Sequence, residues 1–317
     1  MSAPRTLYTF TRTLKGYLKI SLKIVNETGL LVRMPVQAQT FKIGGADTYP
    51  MVTVKKYKRR DTGEEILIEV PYIPGSTLKG RMRSLLELAL GLKLYTTDNK
   101  IWQHVRGYSQ MKGYSGDFEN DVVNRCPVDD LFGWAAANFL QILELVGNDA
   151  NKAVALYNQL ASTRILFDDF FPSQDYIEKT NPKSIADFLE EKSENRIDRI
   201  TSAADPRTIP RVKPGVEFEG YVTVLFFDID KDHVKRYFET LVYGFKLVED
   251  TYLGASGSRG YGRVKFKDFK LDLYKIKPTA SSLEIEGAKR IGEYADLETL
   301  KRNIEVIASS IVKELYA

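Results

Sequence analysis

Apolar residues occupy every second position from Leu18 to Ile24, with lysine or serine between them. A period of two puts these side chains on one face of a strand, so the segment predicts a half-buried strand. The alternation returns from Val216 to Phe226 and again over residues 264–276, where it slips near Asp268 and indicates a bulge. These three segments predict a sheet with one buried face.

Apolar residues at helical spacing predict helices in the intervening segments. They occur at 78–89, 131–146 and 231–248, and in an amphipathic tail from about residue 296. Short strands are predicted at 66–70 and from residue 162. The segment 44–63 is predicted to be a long loop or a mobile hairpin, and the segment 172–194 is predicted to be irregular. The order strand, helix, strand, strand, helix, strand predicts an α+β fold with a ferredoxin-like (RRM-like) core.

No linker-like stretch divides the chain, so residues 1–317 are expected to form one domain. The elaborations expected on its core are a helical insertion or lid at 93–194, a proline- and arginine-rich segment at 195–215, and a C-terminal helical extension at 280–317.

Composition excludes several classes of protein. The 317 residues are 43% hydrophobic, which is enough for a substantial core and argues against disorder. The single cysteine, Cys126, rules out an intramolecular disulfide and fits a reducing compartment. The absence of a signal peptide and of any run of about 20 apolar residues predicts a soluble, cytoplasmic protein without membrane contacts. The net charge of +4 discriminates poorly.

The segment GASGSRGYGRV at 254–264 is the first candidate for binding an anion. Its glycines allow the backbone N–H groups to approach a ligand closely, and Arg259 adds a charge that pairs well with phosphate. Ser256 stands where a dinucleotide-binding fingerprint has its second glycine, and a strand follows instead of a helix, which excludes that fingerprint. A plain turn is the alternative.

A strand–turn–helix unit at 66–89 is the second candidate. Ser76 or Thr77 is the expected N-cap, and three cations follow within the first turns of the helix. A helix N-terminus flanked by cations binds anions through its oriented N–H groups. Arg81 and Met82 replace the lysine and the hydroxyl of a P-loop, so nucleotide hydrolysis is not expected. A plain helix start is the alternative.

The basic run KKYKRR, from Lys55 to Arg60, is the third candidate. Cations around an aromatic ring have the composition of a nucleic-acid groove, although a solvated loop is the alternative. Together the three segments indicate a polyanion binder, in which Tyr57 or Tyr261 is a candidate for stacking on a base.

These segments resemble the RAMP superfamily, the repeat-associated RNA-binding proteins of CRISPR systems, and in particular the backbone subunit of type III effector complexes. The resemblance spans about residues 16–275 and leaves out the stretch 93–130 and the tail after 280. It rests on motifs in series: IGGAD at 43–47, PYIPGSTLKGRMRSLLE at 71–87, LFG at 131–133, IDRIT at 197–201, DPR at 205–207 and the glycine-rich segment at 254–263.

The resemblance implies a ferredoxin-like fold that repeats along a guide RNA (crRNA) as a filament. Its implied partners are the guide RNA, target RNA and the other subunits of the type III complex. It also implies that 195–215 forms a thumb hairpin that splays one base pair of the guide–target duplex at regular intervals. The expected RNA-binding residues are Lys42, Lys55, Lys56, Lys58, Arg59, Arg60, Ser76, Thr77, Lys79, Arg81, Arg83, Arg199, Arg207, Arg211, Ser256, Ser258, Arg259 and Tyr261.

The chain departs from the family pattern at the catalytic position. Active members cleave target RNA with a metal-dependent aspartate in the loop after the GG motif, where this chain has Lys55 and Lys56. A lysine cannot ligate Mg²⁺ as a carboxylate does, so guide binding with lost or weak nuclease activity is expected. Asp47 and Asp61 are the fallback catalytic candidates, with Mg²⁺ or Mn²⁺ as the metal; RNA binding itself is expected to need no cofactor.

Two further possibilities concern metal and reaction class. Cys126, His104 and nearby carboxylates such as Asp129 are the available zinc ligands, and a structural zinc site usually needs four, so none is expected. An endoribonuclease that processes guides or cleaves targets is the alternative function, but neither of the two histidines lies in a recognised site. A general single-stranded RNA binder unrelated to CRISPR is opposed by the thumb-like segment together with the glycine-rich loop.

Overall fold

The computed structural model describes residues 8–9, 11–35, 48–94, 96, 99–104, 126–133, 139–160, 162–279 and 282–317. The strands are β1 (Leu14–Asn26), β2 (Val52–Lys58), β3 (Glu65–Pro71), β4 (Ile165–Phe167), β5 (Phe171–Pro172), β6 (Leu189–Ile197), β7 (Ala204–Val212), β8 (Glu217–Phe227), β9 (Val264–Pro278), β10 (Leu283–Ile285) and β11 (Lys289–Asp296). The α-helices are α1 (Gly75–Ala89), α2 (Pro127–Phe132), α3 (Phe139–Leu145), α4 (Ala150–Leu160), α5 (Gln174–Thr180), α6 (Val234–Asp250), α7 (Leu297–Arg302) and α8 (Ile304–Tyr316).

Seven of these strands form the main antiparallel sheet. Its order is β10-β9-β1-β8-β4, with β11 also paired to β9 and β5 to β8. Strand β1 lies at the centre, where Ile20 pairs with Val222 of β8 on one side and with Leu271 of β9 on the other. The mixed fold of antiparallel sheets and helices confirms the α+β prediction.

The alternation along β1 decides which face of the sheet is buried. Leu18, Ile20, Leu22 and Ile24 are at most 2% exposed and belong to the main core. Helices α1 and α6 cover this face and meet at Gly244, where a Cβ would lie 2.7 Å from Met82 Cε. The opposite face carries the lysines and serine of β1 and is partly open to solvent.

The bulge predicted near Asp268 is confirmed. The register of β1 against β9 shifts between the pairs Ser21–Lys270 and Lys23–Lys267. Asp268 absorbs the extra residue with a φ of +54°. The bulge keeps Phe266 and Phe269 both in the core, although they are three residues apart and an unbroken strand would place them on opposite faces.

Two antiparallel hairpins stand apart from the main sheet: β2–β3 and β6–β7. The first shows that, of the two structures predicted for 44–63, a hairpin is formed from residue 52 onward. The second begins at Leu189, so the segment predicted to be irregular at 172–194 was wrongly interpreted: it contains α5, a 3₁₀ turn at Ile185–Phe188 and most of β6. Its charged residues alternate along a strand that has no apolar face, which is why the pattern was missed.

Other boundaries also differ from those predicted. The helix expected at 131–146 is divided, because α2 ends at Gly133 with a φ of +92°. The range 93–194 supplies β4 and β5 to the main sheet, and the extension at 280–317 adds β10 and β11 before its helices. In the described residues, no helix has the length and apolar character needed to span a membrane.

Candidate nucleic-acid interface

The β6–β7 hairpin carries three oppositely charged cross-strand pairs in addition to its backbone ladder. Glu190, Glu194 and Arg196 lie opposite Arg211, Arg207 and Asp205, and each of the three pairs forms a salt bridge of 2.7–2.8 Å. Opposite charges directly across a ladder stabilise a hairpin that has little core of its own. The far end of this hairpin, with Arg199, is exposed.

The glycine-rich loop closes on the chain's own backbone. Ala255 donates to Leu31 O (2.8 Å) and Gly262 donates to Gly29 O (3.0 Å). Gly262 has a φ of +74°, and a Cβ there would lie 2.0 Å from Leu253 O. This glycine is therefore required by the fold, and the segment 28–31 is fixed between the loop and the base of the β6–β7 hairpin, where Leu30 pairs with Val212.

The loop and the hairpin meet at a group of charged side chains that we call the arginine face: Lys192, Arg207 and Arg259 around Glu194. Arg207 Nη2 lies 2.8 Å from Glu194 Oε2, and Arg259 Nε lies 3.5 Å from the same oxygen. Lys192 donates to Arg259 O at 2.8 Å. The two arginine side chains remain 54% and 44% exposed. The fold thus brings two predicted RNA-binding residues from distant segments onto one open surface.

The hydroxyls of the glycine-rich loop have different surroundings. Ser256 adopts a φ of +61° and its Oγ accepts a hydrogen bond from Arg259 Nη2 at 2.7 Å. Ser258 is exposed beside it. Both hydroxyls therefore lie next to the arginine face, and that of Ser256 holds the Arg259 side chain.

Tyr261 and Arg211 are buried beneath this surface. Tyr261 is 0% exposed, with Arg211 Cζ and Lys192 Nζ each 4.6 Å from its ring centroid. Arg211 is 15% exposed and bound to Glu190. Burial and the facing Glu194 carboxylate raise the pKa of Tyr261 to about 12. Neither this ring nor that of Tyr57, which is 4% exposed, is open to a base in this structure, so burial opposes both candidates for stacking.

The N-terminus of α1 differs from the prediction. The N-cap is Pro74, not Ser76 or Thr77, and no side chain of the cap residue bonds the helix. The helix therefore begins at Gly75, two residues before the start that a Ser76 cap would give. Gly75 N donates to Asp169 Oδ1 at 2.8 Å, and a Cβ on Gly75 would lie 2.4 Å from Phe167 O. A carboxylate of the chain therefore satisfies the first N–H group, while Ser76, the next residue, is exposed and Thr77 is half-buried.

The cations of α1 separate into two kinds. Arg81 donates to Tyr252 O at 3.0 Å and lies 4.0 Å over the Tyr252 ring, which also contacts Gly257. Arg83 bonds Glu87 Oε1, Gly133 O and His104 O at 2.7–3.0 Å. Both guanidinium groups thus join parts of the fold. Lys79 is half-buried, and burial followed by the charge of Arg83 lowers its pKa.

The basic run lies in another part of the molecule, along β2 and its turn. Lys55 Nζ lies 3.8 Å over the Phe171 ring, and burial lowers its pKa. Lys56 pairs with Glu65, and Arg59 donates to Asn181. Arg60 lies 2.8 Å from Asp175 and 3.4 Å from Glu178. Lys58 is exposed, and its carbonyl accepts from Gln174.

Lys55 and Arg60 line an open cleft of about 1120 Å³ on the polar face of the main sheet, which we call the hairpin cleft. Its acidic lining residues are Asp168, Asp169, Asp175, Glu219, Asp268 and Glu293. Lys23 lies 3.1 Å from both Asp175 and Asp268 and neutralises part of this charge. Because these six acids outnumber the four cations of the lining, Lys23, Lys55, Arg60 and Lys270, the cleft is a poorer site for a polyanion than the arginine face.

The catalytic candidates are not brought together by the described residues. Asp61 is exposed in the β2–β3 turn, where its Oδ1 accepts from Thr62 N at 2.8 Å. Asp47 and Lys42 lie outside the described residues. Lys55 and Lys56, at the expected catalytic position, lie in a strand with their ammonium groups on a ring and on a carboxylate.

The described residues contain one group of three metal-capable side chains: His104, Cys126 and Asp129, with ligand atoms within 4.8 Å of one another. Burial alone would lower the pKa of His104, but Asp129, 3.4 Å from its Nε2, and Cys126 raise it to about 10. Arg83 lies 3.6 Å from Asp129 Oδ1. This group is one ligand short of a closed zinc site and has a cation beside it, so it fits an ion-paired histidine better than zinc.

Sequence reasoning missed three residues of the interface: Lys192, Glu194 and Tyr252. The first two alternate with polar residues in the segment interpreted as irregular, and a period of two among its charges was the available signal. Tyr252 gave no signal, because its role follows from its contact with Arg81 across the fold.

Comparison with known proteins identifies the family. The family model of the RAMP superfamily matches residues 68–265. The "CRISPR system Cms endoribonuclease Csm3" of Methanothermobacter thermautotrophicus is 30% identical over 92% of this chain and 98% of its own length. That of Methanocaldococcus jannaschii is 31% identical over 82% of each chain.

A solved structure shows the same fold. The crystal structure of Methanopyrus kandleri Csm3 superimposes with a TM-score of 0.50 at 21% identity, covering 94% of this chain and 98% of the other. The matched segment, residues 68–265, includes α1, the β6–β7 hairpin and the glycine-rich loop. The chain therefore belongs to the RAMP superfamily and, within it, to the family of these Csm3 relatives.

Proposed function

We propose that the chain is a guide-RNA-binding backbone subunit of a type III CRISPR effector complex. The arginine face carries this proposal, because it joins two half-exposed arginines and a lysine along the middle of the β6–β7 hairpin. Arginine pairs with phosphate through a rigid fork of N–H donors, so such a surface suits the backbone of RNA. The two relatives named above, each called a Csm3 of a CRISPR system, support the assignment.

The core that carries this surface is inferred to be ferredoxin-like. The four strands β9-β1-β8-β4 alternate in direction, with α1 following β1 and α6 following β8, which is the arrangement of a β-α-β-β-α-β unit. In this arrangement the β6–β7 hairpin immediately precedes β8 and the glycine-rich loop immediately precedes β9. Strands β8 and β9, the two neighbours of β1, therefore position the hairpin and the loop that together form the arginine face.

The β6–β7 hairpin is proposed as the thumb that enters the guide–target duplex. Its tip carries Arg199 and Ile200, the latter 93% exposed. Asp198 Oδ1 accepts from the N–H groups of Ile200 and Thr201 at 2.9 and 2.7 Å, which holds the tip in one shape. A stiff tip with an apolar side chain and a cation suits insertion between base pairs whose phosphates lie alongside.

Nuclease activity is proposed to be lost or weak. The relatives are named endoribonucleases, and a cleaving subunit is the alternative function. Against it, the positions expected to hold the catalytic aspartate are Lys55 and Lys56 on β2, and a lysine supplies no ligand to Mg²⁺. RNA binding is expected to need no metal or other cofactor, whereas cleavage would need Mg²⁺ or Mn²⁺. The partners proposed are guide RNA, target RNA and further type III subunits, in the cytoplasm.

The test uses the purified chain, alone and with its partner subunits, on guide RNA and labelled matching target RNA with Mn²⁺. We expect salt-sensitive guide binding and intact target on a denaturing gel. Absence of guide binding under both conditions would reject the RNA-binding function. Regularly spaced target fragments that disappear in Asp61→Ala or Asp47→Ala would instead establish the nuclease, with Glu65→Gln as the control that keeps both aspartates.

A further inference from the structure

Glu194 is the acidic centre of the arginine face and has no assigned role. It lies on β6 with its side chain 11% exposed, whereas the neighbouring arginines are half-exposed. Its Oε2 contacts Arg207 and Arg259, and its Oε1 lies 4.0 Å from Lys192 Nζ. One carboxylate is therefore shared by cations from both hairpin strands and from the glycine-rich loop.

The charge balance around Glu194 leaves the surface positive. Three cations surround one anion, so the group carries a formal excess of two positive charges at neutral pH. Burial alone would raise the pKa of Glu194, but hydrogen bonding to Arg207 and the charges of Arg207 and Arg259 lower it. The carboxylate thus stays ionised and does not cancel the attraction of the surface for phosphate.

The geometry leaves most arginine donors available to a ligand. A guanidinium has five N–H groups. Arg207 uses Nη2 on Glu194, and Arg259 directs Nε to Glu194 and Nη2 to Ser256. Each arginine is therefore anchored on one side by a nearly buried group while its exposed side faces solvent, which reduces the side-chain entropy lost when a phosphate binds.

We propose that Glu194 is a positioning residue that holds Arg207 and Arg259 at fixed spacing as a paired clamp for successive phosphates of RNA. This proposal rests on the proposed function, since the ligand is the backbone of the same RNA. It makes the thumb and the glycine-rich loop one binding unit, because the same carboxylate orients a residue from each.

The opposite role would be masking. A carboxylate that occupies the place of a phosphate would compete with RNA, and its removal would tighten binding. Positioning therefore predicts that loss of the Glu194 carboxylate weakens RNA binding, whereas masking predicts that it tightens RNA binding. Replacing Glu194 by an uncharged residue raises the net charge by one in either case. The sign of the change in affinity therefore decides between the two roles.

The experiment measures guide-RNA affinity against salt concentration for the full chain, for Glu194→Gln and Glu194→Ala, and for Glu314→Gln as a charge-matched control. Glu314 lies on α8 and pairs with Lys289 of β11, outside the arginine face. We expect both Glu194 variants to bind about 5- to 30-fold more weakly, because two arginines lose their anchor. Glu314→Gln, with the same net charge, is expected to bind as well as the parent chain.

A double-mutant cycle separates positioning from a loss of stability. Arg207→Ala is expected to weaken binding in the parent chain and to have little further effect in Glu194→Ala, since the arginine is already disordered there. Additive effects of the two substitutions, or a loss of affinity that follows a lowered melting temperature in every variant, would overturn the proposal, as would tighter or unchanged binding by Glu194→Gln. Failure of the parent chain to bind RNA would instead reject the proposed function and this inference with it.

Discussion

The arginine face and the hairpin cleft contain similar numbers of cations but differ in what surrounds them. At the arginine face, one nearly buried carboxylate orients two half-exposed arginines. In the hairpin cleft, Asp175 contacts both Lys23 and Arg60, Asp268 also contacts Lys23, and four further carboxylates line the same space. The comparison teaches that a basic run in the sequence does not by itself mark a binding surface, because neighbouring acids decide how much positive potential remains.

The largest effect is expected from the glycines that keep the arginine face rigid. Gly262→Ala combines a left-handed backbone with a Cβ placed 2.0 Å from Leu253 O. It should lower the free energy of unfolding by roughly 2–4 kcal/mol, from left-handed strain and overpacking together. Gly260→Ala is the matched control, since its φ is +80° but nothing lies within 4 Å. The measurement is denaturant unfolding of both variants. An equal loss of unfolding free energy in the two would contradict this explanation.

The second effect tests the comparison directly through RNA affinity. The double variant Arg207→Ala/Arg259→Ala should bind guide RNA roughly 10- to 100-fold more weakly and lower the salt slope of log K by about 1.4, the value for two phosphate contacts on a single strand. Lys55→Ala/Arg60→Ala removes the same charge from the hairpin cleft and should change affinity less than about 3-fold. A larger loss from the cleft variant would reverse the ranking of the two regions.

A third substitution sharpens the boundary of the arginine face at α1. Arg81→Ala removes a hydrogen bond to Tyr252 O and the stacking on its ring, and should cost about 1–3 kcal/mol of stability. Lys79→Ala on the same helix should stay within about 0.5 kcal/mol of the parent chain. If thermal unfolding of Arg81→Ala were unchanged while RNA binding fell, Arg81 would belong to the RNA contacts and not to the fold.

The smallest effect concerns the pH response of the hairpin cleft. Hydrogen bonds from Lys23 and Arg60 lower the pKa of Asp175 below its ordinary value of 3.8. The stabilisation from a lowered carboxylate pKa is fully present above pH 3.8 and is lost as the pH falls through the lowered pKa. Asp175→Asn should therefore melt up to about 2 °C below the parent chain at pH 7, because the pairs are exposed, and the difference should vanish in acid. Asp205→Asn offers a control at a salt bridge outside the cleft.

The sequence alone determined much of the core and the family. Alternation over residues 18–24 predicted β1, because a strand with one buried face has apolar residues at every second position. A break in this alternation near Asp268 predicted the bulge in β9. The motif series predicted the RAMP resemblance that the comparisons then established. These features are local in the chain, so a single sequence carries them.

The tertiary structure decided which predicted residues share a surface. Arg207 and Arg259 were each predicted, but their common partner Glu194 was not, since a salt bridge between distant segments leaves no pattern in either one. Tyr57 and Tyr261 were candidates for stacking on a base, but both are buried, because the packing of neighbouring elements, and not residue type, decides exposure. The helix start at Gly75 likewise depends on Asp169, a carboxylate that only the folded chain brings to that N–H group.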